Sequence, residues 1–88
     1  MAQRVVVIGS RGGLHARPAA TFVQAAGRTS VPVTIAVHGK EPVAASSLLG
    51  VMTLGAQYGD QVTLTAHGDQ AEAALHALAQ LLTQELEA

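Results

Sequence analysis

Arg4-Val5-Val6-Val7-Ile8-Gly9-Ser10-Arg11-Gly12-Gly13-Leu14-His15-Ala16-Arg17-Pro18-Ala19-Ala20 passes from one kind of secondary structure to another around a glycine-rich turn. The β-branched run up to Ile8 reads as a buried strand. Glycines 9, 12 and 13 then read as a mobile turn. From Ala16 to about Gly27 the composition becomes alanine-rich, and Ala16, Ala19, Ala20, Val23 and Ala26 fall at helical spacing to make one apolar face. Pro18 lies in the first turn of that helix, where its missing N–H does no harm.

The rest of the chain repeats this grammar. Val33, Ile35 and Val37 alternate with Thr34 and Ala36, the period of a half-buried strand. A turn at His38-Gly39-Lys40 leads to a short return strand over residues 41–44, with Pro42 marking it as an edge. Ser46 or Ser47 then caps a short helix running to about Leu54 and closed by Gly55. Residues 61–66 alternate again, and Asp69 with Glu72 has the spacing of a capping box. The last helix carries Ala71, Leu75, Leu78, Leu82 and Leu86 as a stripe. The order is β-α-β-β-α-β-α. Each helix has one apolar stripe to bury, so an α+β fold of four strands in one sheet with three helices on one face is the economical arrangement.

Size and composition narrow the function. Eighty-eight residues predict a single domain over 1–88. Hydrophobic residues make up 49 %, yet Phe22 and Tyr58 are the only aromatics, so the core is aliphatic. Net charge is −1 and the basic residues are scattered, with no stripe to displace counterions and no aromatics to stack on bases. Nucleic-acid binding is therefore not expected. The longest apolar run is too short for a membrane span, and the opening residues lack the core of a secretory signal. No cysteine is present, which permits a reducing compartment. The chain reads as a cytoplasmic monomer.

Chemistry concentrates at Gly13-Leu14-His15-Ala16-Arg17-Pro18-Ala19. The glycines end and the helix begins there, so His15 is predicted at or beside the N-cap. The first backbone N–H groups of a helix have no partner within it, and the dipole at that end favours an anion. A phosphoryl group would meet the amides of Ala16 and Arg17, with the Arg17 guanidinium adding a forked cationic donor. A neutral imidazole nitrogen carries the lone pair that attacks phosphorus. These features alone point to an anion-handling site and leave open whether the anion is bound or covalently transferred. No base or metal cluster accompanies them, as a phosphohydrolase would need. No metal and no cofactor are expected.

The same segment resembles the active-site motif of the HPr family, the histidine-containing phosphocarriers of the bacterial phosphoenolpyruvate-dependent sugar phosphotransferase system. Ser47-Leu48-Leu49-Gly50-Val51-Met52-Thr53-Leu54-Gly55 resembles the family's second marker, and length and element order agree over essentially the whole chain. The resemblance implies an open-faced β-sandwich with an antiparallel sheet. It implies that His15 takes a phosphoryl group on Nδ1 from enzyme I, itself charged by phosphoenolpyruvate, and passes it to enzyme IIA domains. Arg17 would pair with the phosphoryl oxygens. Such a chain is a transfer intermediate rather than a turnover enzyme. Variants of the same site serve nitrogen-linked or dihydroxyacetone kinase phosphorelays, and some relatives act as binding modules without the histidine.

Two further expectations concern the second helix. Leu48, Leu49 and Met52 cannot all face the sheet, so an exposed apolar patch is expected beside His15 as the partner-docking surface. Val51 and Leu54 are expected in the core. The resemblance also makes Ser47 a candidate regulatory phosphorylation site for an HPr kinase/phosphorylase, and a plain N-cap serine is the competing reading. Ser46 stands where many relatives with that switch carry a basic residue. His38, His67 and His76 read as surface polar residues, with no pair at metal-binding spacing.

Overall fold

A computed structural model describes residues 1–84. The elements are β1 (Ala2–Val7), α1 (Ala16–Gly27), β2 (Val33–Val37), β3 (Val43–Ala44), α2 (Leu48–Thr53), β4 (Gln61–Ala66) and α3 (Ala71–Leu82). All strand pairs are antiparallel, and the sheet order is β1-β4-β2-β3. This is the open-faced sandwich that the resemblance implied.

Strand register follows from the alternation. Val6 pairs with Val62, which pairs with Val37; Ile35 and Leu64 pair likewise. These side chains share the helix-covered face and sit in one core with Phe22, Leu75, Leu78 and Leu82. The opposite face carries Gln3, Val5, Thr34, Thr63 and Thr65. β1 departs from its reading as a buried strand. It lies at the sheet edge with Val5 61 % and Val7 47 % exposed, so a continuous apolar run here marks a one-sided strand. β3 lies at the other edge, as Pro42 suggested, but pairs over only two residues instead of 41–44.

The helices are placed by their buried faces. α1 buries Pro18, Ala19, Phe22 and Ala26 while Ala16 is exposed, so the working stripe is rotated from the alanine pattern toward the single phenylalanine. A side chain of that size, fully buried, dominates the packing. α3 buries Ala71, Leu75, Leu78 and Leu82 as expected; Leu86 lies outside the described residues. The Asp69–Glu72 capping box does not form. Gln70 is the N-cap and makes no side-chain cap bond, and Glu72 instead approaches Arg4 at 3.9 Å as an exposed pair of small energetic weight. No helix of the described residues is long and apolar enough to cross a membrane.

Candidate functional site

His15 is the N-cap residue of α1, with extended backbone and no side-chain cap bond. Its side chain is exposed. Its carbonyl accepts the first helical bond, from Ala19 N–H at 2.9 Å. Between them lie Ala16 and Arg17, whose N–H groups have no carbonyl one turn earlier to bond, and Pro18, which has no N–H. Pro18 therefore leaves the Ala16 and Arg17 amides as the donors of the first turn. Arg17 is exposed two positions on, and its carbonyl accepts from Thr21 Oγ1 at 3.3 Å.

The loop that carries His15 into place is close-packed, which corrects its reading as a mobile turn. A Cβ on Gly13 would lie 2.6 Å from the Ala56 carbonyl oxygen and 2.8 Å from Gln57 Cα, and Gly13 has φ +76°. A Cβ on Gly9 would lie 2.0 Å from the Thr83 carbonyl oxygen. These glycines serve close backbone approach. Leu14 N–H donates to the Ala56 carbonyl at 2.8 Å, and the Leu14 side chain is buried. The loop after α2 is itself tied, since Asp60 Oδ2 accepts from Gln57 N–H at 2.9 Å. The residue before His15 is thus held on both backbone and side chain.

His15 shares a shallow depression of about 270 Å³ with Gly12, Leu14, Met52, Ala56 and Gln57. A larger one of about 470 Å³, bordered by His38, Lys40 and Asp60, meets it at Gly55 and excludes His15. Met52 is therefore brought to the histidine. Arg17, Leu48 and Leu49 lie outside the depression. Leu48, Leu49 and Met52 are 41 %, 78 % and 40 % exposed, whereas Val51 and Leu54 are buried, which is the division expected for α2. Ser47 is the N-cap of α2 and its Oγ accepts from Gly50 N–H at 3.1 Å. His38, His67 and His76 are exposed, and His76 Nδ1 lies 3.3 Å from Arg4 Nη1. Among the described residues no three His, Cys, Asp or Glu side chains are grouped to hold a metal ion. Gln57, which borders the depression, carries no signal in the sequence, because its place depends on how the loop after α2 folds back.

Fold and site together define a class: small open-faced sandwiches presenting one histidine at a helix start. A family model described as the PTS HPr component phosphorylation site matches residues 2–84. The phosphocarrier protein HPr of Streptomyces coelicolor is 52 % identical over 99 % of this chain and 94 % of its own length. The HPr-like protein Crh of Bacillus subtilis is 41 % identical over 98 % and 100 %. The crystal structure of Bacillus anthracis HPr superposes with a TM-score of 0.86 at 42 % identity, covering 92 % of this chain and 95 % of that one. The chain belongs to the HPr family, the phosphocarrier proteins of the phosphotransferase system.

Proposed function

We propose that this chain receives a phosphoryl group on His15 from phosphorylated enzyme I and delivers it to enzyme IIA domains. The observation that carries the reading is the exposed imidazole at a helix start where Pro18 leaves only the Ala16 and Arg17 amides as donors. In the forward step the Nδ1 lone pair forms an N–P bond as the bond from phosphorus to the donor's atom breaks; Nε2 keeps its proton. The two amides and the Arg17 guanidinium balance the charge of the phosphoryl oxygens. Delivery reverses these bond changes toward the acceptor. With one nucleophile, one arginine and two amides, the group is stabilised mildly and stays transferable.

Leu48, Leu49 and Met52 form the surface on which enzyme I and the IIA domains dock, since Met52 borders the depression that holds His15. The carrier works in the cytoplasm as a monomer and uses no cofactor. The test is incubation with phosphoenolpyruvate and enzyme I. One acid-labile, base-stable phosphate per chain is expected, and none on His15→Ala. An acid-labile phosphate on His15→Ala would overturn the assignment. Cross-transfer to IIA domains separates sugar transport from nitrogen-linked or dihydroxyacetone kinase relays.

A regulatory role at Ser47 is the second reading, supported by its place at the N-cap of α2, next in sequence to Leu48. A phosphate there would replace the cap bond to Gly50 and put negative charge beside the docking surface. Mass spectrometry after treatment with an HPr kinase/phosphorylase should find phosphoserine at Ser47 and slower transfer to His15. Crh and an HPr of Thermoanaerobacter tengcongensis have been solved as dimers. Light scattering at micromolar concentration should give the monomer mass for this chain.

A further inference from the structure

The residue that stands out away from the reacting atoms is Ser10. Among the described residues it is the one buried polar side chain, with 1 % of its surface exposed. Its Oγ donates to the Gln84 carbonyl at 3.1 Å, just past the end of α3. Its own carbonyl accepts from Gly13 N–H at 2.8 Å, and Gly9 N–H donates to the Leu82 carbonyl at 2.8 Å. On the far side the same loop leans on Ala56 through Leu14 N–H. The path from the last helix to the histidine is thus short: Gln84 to Ser10, Ser10 to Gly13, then Leu14 and His15.

A buried hydroxyl with a partner contributes little net stability, because it exchanges water for a protein acceptor. It does select one orientation, since turning it away leaves a buried polar group unsatisfied. From this geometry we propose that Ser10 is a positioning residue for phosphoryl transfer. It locks residues 9–13 to the C-terminal end of α3, and so fixes where the His15 imidazole stands over the Met52 and Gln57 depression. The proposal rests on His15 being the phosphoryl acceptor. It adds that the accuracy of the site is set from the opposite end of the chain. Small displacements of a nucleophile are expensive, since about 1 Å can cost on the order of a hundredfold in rate.

Two variants test it. Ser10→Ala removes the hydroxyl without adding volume. Thr29→Ala is the control: Thr29 Oγ1 lies 2.8 Å from the carbonyls of both Ala26 and Val31, beyond the far end of α1. Both variants should lower the melting temperature. Only Ser10→Ala should lower the kcat of enzyme I with this chain as phosphoryl acceptor, by roughly tenfold, with enzyme I's KM for the chain unchanged. Only Ser10→Ala should shift the His15 imidazole ¹⁵N resonances, and Ser10→Thr, which keeps the hydroxyl, should restore them in part. Wild-type kcat and unmoved His15 resonances in Ser10→Ala would overturn the proposal, as would an equal kcat loss in Thr29→Ala. If the wild type accepts no phosphoryl group, the functional reading fails, and the resonances alone then decide the role of Ser10.

Discussion

The helix starts that carry His15 and Ser47 are built in opposite ways. α1 begins on His15, which caps nothing with its side chain, and α2 begins on Ser47, which accepts from Gly50 N–H. The difference follows from what lies behind each. α1 has twelve residues and buries Pro18, Ala19, Phe22 and Ala26; α2 has six and buries only Val51. Helices of that length hold through tertiary contacts or caps rather than propensity. α1 is anchored along its length, so it does not depend on a side-chain cap from its first residue. α2 buries one residue within its length, so its first residue is occupied with capping it while Leu48, Leu49 and Met52 stay exposed.

If that contrast is right, the largest effect comes from removing what anchors α1. Phe22→Ala should cost about 3–5 kcal/mol and lower the midpoint by about 12–40 °C in a thermal melt. A loss below about 1 kcal/mol would mean that α1 does not depend on its buried face. Next is the exposed face of α2. Leu48→Asp should raise enzyme I's KM for this chain roughly tenfold while changing stability by no more than about 0.5 kcal/mol. An unchanged KM would remove α2 from the docking surface.

Smaller effects probe the caps themselves. Ser47→Ala should cost about 1 kcal/mol, read by denaturant titration, with amide exchange rising first over residues 48–53. Of the two caps, the smaller stability change belongs to His15→Ser. A serine cap ordinarily bonds the N–H of the second or third helical residue, but the third here is Pro18. The gain should therefore be no more than about 0.5 kcal/mol, while transfer is lost completely. A larger gain would show that the helix end is under more electrostatic strain than its two amides imply.

Most of the frame could be read from the residues. Alternation at Val33, Ile35 and Val37 and at Val62, Leu64 and Ala66 marks β2 and β4, because each has one face buried. His15 could be placed at a helix start because glycines end and alanines begin there. What escaped was everything set by distant contacts. Glycine permits both mobility and close approach, and only the Thr83 and Ala56 backbones decide that residues 9 and 13 serve the second. The run from Val5 to Ile8 looks buried on both faces because nothing local says that the helices cover one face of the sheet and leave the other, with Val5 and Val7, open. Asp69 and Glu72 have capping-box spacing, but the helix starts one residue later than that pattern needs.

The bond from Ser10 to Gln84 also bears on how the protein is made. It joins residues 74 apart in the chain, and Gly9 reaches Leu82 beside it. Synthesis proceeds from the N-terminus, so the histidine emerges from the ribosome long before the helix that braces its loop. A nascent chain would carry the nucleophile without its setting. With His15 as the phosphoryl acceptor, competence to exchange phosphoryl groups should then appear only once residues 82–84 have left the ribosome.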